Sequence, residues 1–159
     1  MGICGQWRNR NLTAIAIKDM KSPEKIDLLD GNDIDVKSMV EENCAGFVYG
    51  DMTSVAVSED GSKLAVAIQA ENYADTGRVA LFTCNADGTL TFDKVYETGV
   101  QPDMVTFASN DSKILTADEG EPRDGYGDGI IDPKGTVTII IWLDQTVSQV
   151  DFTSYDNSD

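Results

Sequence analysis

The chain of 159 residues contains no histidine. Without an imidazole there is no Ser-His-Asp or Cys-His relay, no side chain of that kind titrating near neutrality and no His-ligated zinc. Any chemistry has to come from carboxylates, hydroxyls, Lys, Arg, Tyr or a hard metal. Basic residues are scarce as well: 12 Lys and Arg stand against 28 Asp and Glu, a net charge of -16. A surface of that sign repels polyphosphate backbones and anionic leaflets, which argues against nucleic acid and bare membrane as partners. It fits either a well-solvated surface or one that collects metal ions. The three cysteines, Cys4, Cys44 and Cys84, lie forty positions apart with no CxxC pair, so zinc and thioredoxin-like sites fail on spacing. Buried free thiols are the expected state; one disulfide with a leftover thiol is the alternative in an exported chain. No apolar run reaches the roughly 18 residues of a membrane span, so no transmembrane segment is expected. The opening MGICGQWRNRN also lacks the apolar core of a secretory signal. That leaves a cytosolic protein or a chain that starts inside a longer precursor.

What the chain does have is an internal repeat. VAVSEDGSKLAVAIQAE from Val55 returns fifty positions later as VTFASNDSKILTADEGE from Val105, which aligns Glu71 with Glu121. GRVALF from Gly77 then matches GTVTII from Gly135, now fifty-eight positions apart, so the second copy carries eight extra residues between Glu121 and Gly135. A period of roughly 40 to 50 residues with about four strands is the signature of a β-propeller blade.

The strands follow from alternation and turn chemistry. Residues 12–18 (LTAIAIK) and 25–28 predict a hairpin around Ser22-Pro23, and the polar stretch 31–50, with a weak helical signal at 35–42 and no strong cap, predicts a loop with one helical turn. Strands are then expected at 53–58, 63–69, 78–84 and 90–97, with turns at Asp60-Gly61 and Asp87-Gly88, where glycine accepts the positive φ a tight turn demands. The second copy predicts strands from Val105, at 113–118, 136–143 and 147–152. The expected architecture is therefore all-β: a partial β-propeller of about two and a half four-stranded antiparallel blades. It divides as 11–50 (half blade and loop), 51–100 (blade) and 101–159 (blade with the acidic loop 118–135). Incomplete arrays expose apolar faces. The remaining blades of a larger ring, or self-association, are expected to cover them.

The strings DMVTF from Asp103, KILTADEGEP from Lys113 and DPKGTVTII from Asp132, supported by GDMTSVAV from Gly50 and DFTSY from Asp151, resemble the propeller of the choice-of-anchor I proteins. Those bacterial surface proteins are similar to the mesenchyme-specific cell surface glycoprotein group. The resemblance spans residues 12–155 and implies an exported, cell-surface or secreted propeller with no settled catalytic residues to transfer.

Candidate sites cluster in the loop after 118. Asp118, Glu119, Glu121, Asp124, Asp128 and Asp132 fall within fifteen residues and alternate with glycines, a pattern that can wrap the six to eight oxygens calcium takes. The run from Asp124 imitates an EF-hand loop but has Tyr126 at its third position and Gly135 at its twelfth, so it is not one. Otherwise the loop is a solvated connection whose glycines serve turns. Glu71 and Glu121, at equivalent ends of two copies, are expected on one rim with Arg78 and Arg123 as ligand candidates. Chance retention in a duplicated unit accounts for that pair equally well. Tyr73, Tyr126 and Tyr155 are loop aromatics suited to a glycan or peptide, whereas Trp7, Trp142, Phe82 and Phe107 read as packing residues. Two functions follow. The first is a non-enzymatic surface module that binds a protein or glycan partner through rim loops, with Ca²⁺ as the one cofactor in view. The alternative is a calcium-dependent phosphatase or phytase-like hydrolase, which needs cations converging on a phosphoryl group; Lys18, Arg78, Arg123 and Lys134 are scattered along the sequence.

Overall fold

In the computed structural model, the described residues are 34–86 and 89–155, together with the backbone of 2–5 and 11–15. The expected strand at 25–28, residues 16–18 of the first strand, Trp7, Lys18 and the Asp87-Gly88 pair lie outside them.

Among the described residues the protein is all-β apart from one short helix and a 3-10 turn at 153–155. At its start, β1 (Gly2–Gly5) pairs with β2 (Asn11–Ile15), which pairs with β3 (Ile34–Asp35), all antiparallel. The first strand was not foreseen. Next comes α1 (Val36–Asn43), an eight-residue helix where one turn of a loop was expected. Asp35 caps it by accepting a hydrogen bond from the Ser38 amide at 3.1 Å, and Val36 and Val40, one turn apart, are both fully buried.

Two four-stranded antiparallel meanders follow. The first sheet is β4 (Tyr49–Val57), β5 (Lys63–Ala70), β6 (Thr76–Cys84) and β7 (Leu90–Val100), in that order. The second is β8 (Pro102–Ala108), β9 (Lys113–Asp118), β10 (Thr136–Ile141) and β11 (Thr146–Asp151). Each copy of the repeat thus makes one complete sheet. The correspondence reaches irregularities: a register shift between Met52 and Ser54, opposite Ile68 and Ala67, recurs between Pro102 and Met104, opposite Asp118 and Ala117. Every one of those positions is displaced by fifty. A β-bulge at the same place in both copies bends both first strands alike.

The two sheets differ in how they are covered. On one face of the first sheet, Leu64, Val66, Ile68, Ala80 and Phe82 pack with Val36 and Val40 of the helix and with Phe47 and Tyr49. On its other face Ala65, Ala67, Val79, Leu81 and Tyr96 meet Val105, Ile114 and Ile140 of the second sheet. Residues from Leu64 to Ile68 are therefore buried on both sides of the strand, which is why that run is apolar without alternation. Complete burial of a Leu, Ile or Phe contributes about 1.5–3 kcal/mol relative to exposure. Phe82 is fully buried, and Phe107 and Trp142 pack against the second cluster, as expected of them.

The first strands of the two sheets, β4 and β8, lie side by side: the Val105 amide donates to Ser54 Oγ at 3.2 Å and the Thr53 hydroxyl donates to the Pro102 carbonyl. At the hairpin end, Asp111 Oδ2 accepts from the Glu59 amide at 2.8 Å, so the turn of one sheet braces that of its neighbour. Within the β4–β5 turn, Gly61 sits at φ +72°, and Asp60 accepts from the Ser62 amide and from the Ser58 and Ser62 hydroxyls. Those donors, the Ser62 amide first, hold the Asp60 carboxyl down at about 2 from its ordinary 3.8. A carboxyl depressed in the folded state stabilises it above the ordinary value and loses that contribution as pH falls toward 2. Asp60→Asn is therefore expected to flatten the loss of stability between about pH 4 and pH 2, measured as urea midpoints against pH; an unchanged slope would contradict the assignment.

Candidate functional site

One end of the two sheets gathers the connections 71–75, residue 101 and 119–135, the rim on which the candidate residues were placed. The long loop of the second sheet is fastened to the short loop of the first. Gln101, in the single-residue link between β7 and β8, sits at φ +56° and is buried; its Nε2 donates to the Tyr73 carbonyl at 3.0 Å and to the Glu121 carbonyl at 2.7 Å. The Tyr73 hydroxyl donates to Asp124 Oδ2 at 3.0 Å, and Arg123 donates to Gln69 Oε1 at 3.0 Å. The Asp124 carboxylate holds the Tyr73 hydroxyl above the usual tyrosine range, because ionising the phenol would break that bond and set two anions together. The loop also returns to β7 and the link through the Glu119 amide on the Gln101 carbonyl and the Gly120 amide on the Val100 carbonyl. Gly120, at φ +61°, has its Cα against the backbone of Lys134 and Gly135, so this closing point of the loop admits no side chain.

The expected ligands separate into two groups. Asp118 is 3% exposed and sits between the sheets. Its Oδ2 accepts from the Thr138 and Thr136 hydroxyls at 2.6 and 2.8 Å and from the Gly99 amide at 3.2 Å, while Oδ1 accepts from the Thr116 hydroxyl at 2.6 Å. Its lone pairs are committed to the fold. Glu119, Glu121, Asp124, Asp128 and Asp132 are exposed. Glu119, Glu121 and Asp132 line an open groove of about 560 Å³ together with Pro122, Tyr126 and Pro133. Among the described residues, no three carboxylates or thiols gather closely enough to hold a metal ion.

Arg78 lies on the strand face away from the second sheet. It pairs with Glu97 at 3.2 Å, donates to Thr76 and Gly77, and stacks 4.7 Å over the Phe47 ring. Arg123 is bound to Gln69, and Glu71 is exposed, its amide donating to the Val48 carbonyl. The structure therefore brings Arg123, Asp124 and Glu121 onto a shared rim with Tyr73; Arg78 lines a separate groove with Phe47, Ala74 and Asp75 beside the 71–75 connection, and Asp118 lies in the seam. Gln101, Tyr73 and Gln69, the residues that tie the loops together, were not foreseen in that role. No local signal marks them, since their partners come from the neighbouring sheet. Cys44 and Cys84 are free and half-buried, and burial pushes the Cys84 thiol up. No helix among the described residues is long and apolar enough to cross a membrane.

Removing the Asp118 carboxylate strands three hydroxyls in a buried seam and leaves the Gly99 amide only its bond to Thr138 Oγ, and hydrogen bonds to a charged group contribute about 1.5–3 kcal/mol each before the hydroxyls re-pair. Asp118→Ala is expected to destabilise the fold by about 3–5 kcal/mol and Asp118→Asn by less than half of that, by urea denaturation at constant slope. Equal, small effects of both would mean that the carboxylate does not bind the sheets together.

A family model, the choice-of-anchor I domain, matches residues 6–159. No curated protein matches the chain. With nearly the whole sequence covered, and with two copies of its repeat folded as equivalent sheets, the chain belongs to the choice-of-anchor I domain family.

Proposed function

We propose that this chain is a non-enzymatic surface module whose rim binds a protein or glycan partner, and that its two sheets are consecutive blades of a β-propeller. Membership of the choice-of-anchor I family points to a cell-surface or secreted setting. The propeller reading is supported by the side-by-side first strands, the bulge repeated in register and the packing of one meander face on the next. The observation that carries the binding role is the composite rim: Gln101 joins the Tyr73 and Glu121 loops, so residues from both sheets present one surface. On it stand the open groove, the Tyr126 ring at 83% exposure and the exposed loop carboxylates. An exposed aromatic beside hydrogen-bonding groups is the usual means of holding a sugar face or a peptide side chain. Two of the cations a phosphoryl group would need already hold other partners, Arg78 the Glu97 carboxylate and Arg123 the Gln69 amide oxygen.

The test is binding of the labelled chain to arrays of glycans and of surface proteins. Tyr126→Ala and Glu121→Ala are expected to lower the captured signal about tenfold, as loss of an interface anchor does, while leaving the melting temperature unchanged. Binding that survives both changes would move the site off this rim. No phosphate release from p-nitrophenyl phosphate is expected with or without calcium; turnover abolished by Asp132→Ala would favour the hydrolase instead.

Calcium belongs to the proposal through the five exposed carboxylates, whose mutual repulsion a cation relieves when the loop draws around it. Calorimetric titration is expected to show binding at roughly 10⁻⁴–10⁻³ M, the range of extracellular modules, with a rise in melting temperature. No heat and no thermal shift at millimolar calcium would remove the cation and leave the rim.

A further inference from the structure

The guanidinium of Arg78 is fastened through one nitrogen and left open along one edge. Its Nη1 makes all of its hydrogen bonds, to the Thr76 carbonyl and hydroxyl at 3.2 and 3.0 Å and to the Gly77 carbonyl at 2.7 Å, and the Phe47 ring lies 4.7 Å from its Cζ. Nε and Nη2 form the edge whose parallel N–H groups match the two oxygens of a carboxylate, and among the described residues neither donates a hydrogen bond. Glu97 stands 3.2 Å from Nη2, but its side chain is 62% exposed, and an ion pair in that much water contributes little. A side chain only 14% exposed thus keeps a bidentate edge unfilled.

The groove that Arg78 lines, beside the 71–75 connection, has a volume of about 340 Å³. Its wall is apolar along Phe47, Ala70, Ala74 and Val48, the last 51% exposed, and its second charged residue is the exposed Asp75. Apolar walls with a few placed charges are the composition of a small-molecule site. The repeat does not account for it. In the second copy the place of Arg78 is taken by Thr136, whose hydroxyl is committed to Asp118, so the guanidinium belongs to the first sheet alone.

One guanidinium and one carboxylate in a groove select among ligands. A simple anion would meet Arg78, but it would also meet the field of a chain with a net charge of -16, which repels it. A zwitterion carries no net charge to be repelled, and it brings an ammonium for Asp75 as well as a carboxylate for Arg78. We propose that this groove binds a free α-amino acid with an aliphatic side chain, its carboxylate on the Nε and Nη2 edge of Arg78, its ammonium at Asp75 and its side chain against Phe47, Val48, Ala70 and Ala74. The site is distinct from the groove beneath Tyr126 and does not depend on the partner bound there.

Calorimetric titration of the full chain with L-leucine, N-acetyl-leucine and leucinamide reads the two charges separately. Leucine is expected to give saturable heat, and each blocked form, having lost one charged contact, to bind at least about tenfold more weakly. Arg78→Lys keeps the charge but lacks the fork, and should weaken leucine binding about tenfold with the circular dichroism unaltered. Asp75→Asn should lower leucine to the level of N-acetyl-leucine and leave N-acetyl-leucine where it was, a loss of discrimination that damage to the fold does not produce. Absence of heat with leucine, isoleucine, valine and alanine overturns the proposal, as do blocked forms that bind as well as leucine, or leucine binding that both variants leave unchanged. A peptide ending in leucine that binds more tightly than the free amino acid overturns it too, since the ammonium at Asp75 is then not the recognised group. Tyr126→Ala should change none of these values, so this groove and the rim hold or fail separately.

Discussion

A buried carboxylate fastens one sheet to the next. Asp118 places a carboxyl group between the sheets, where it is tolerable only if its oxygens find hydrogen-bond partners. The donors come from three strands: the Gly99 amide on β7, Thr116 on β9, and Thr136 and Thr138 on β10. Several sequence choices then follow from one requirement. Position 99 has to be glycine, because a Cβ there would strike Thr136 and Asp118. With β7 held at Gly99, the chain crosses to the second sheet in one residue, and that residue, Gln101, takes a left-handed backbone whose side chain reaches the loops of both sheets. The geometry of the rim is set by a bond in the seam.

The same cluster shows what duplication left free to change. Val66, Ile68 and Ala80 are fully buried in the helix-covered face of the first sheet; their equivalents, Thr116, Asp118 and Thr138, are buried in the seam. Identical positions carry a hydrophobic core in one copy and a hydrogen-bonded cluster in the other. A purely apolar seam would hold the sheets together at less risk, since each polar group inside is costly when unmatched. What the cluster adds is register, because its bonds form only when Gly99 stands opposite Thr138 and Asp118.

The repeat made the eight sheet strands legible, since two alternating patterns at one offset constrain each other. What escaped was whatever depends on a partner distant in the chain. Asp118 opens an acidic run and reads as solvated; only the threonines at 136 and 138, in another strand, make it a core residue. Arg78 was grouped with Arg123; it lines a groove beside the 71–75 connection, but it shares a strand face with Ala80 and Phe82, and period-two alternation alone turns it away from the second sheet. The helix was underestimated because eight residues with one modest cap give a weak periodic signal, while its stability comes from Val36 and Val40 packing on the first sheet.

The eight-residue insertion falls at this rim, where the fold tolerates a longer connection. The connection 71–75 spans five residues and 119–135 spans seventeen, because besides the eight inserted residues β9 ends two positions earlier and β10 starts two positions later than their equivalents in the first sheet. By loop-closure entropy, that lengthening costs only about 1 kcal/mol. The contacts of Asp124 with Tyr73, Arg123 with Gln69 and Glu121 with Gln101 offset it, at about 0.5–1.5 kcal/mol apiece. The longer loop is thus held against the neighbouring sheet at little net cost to the fold. A loop already ordered before a ligand arrives forfeits less entropy on binding than a free one, so the anchoring that steadies the insertion lowers the entropic cost of the binding proposed for its groove. Strand positions, which must satisfy two faces at once, have no such freedom; the rim can diverge while the repeat beneath it stays the same.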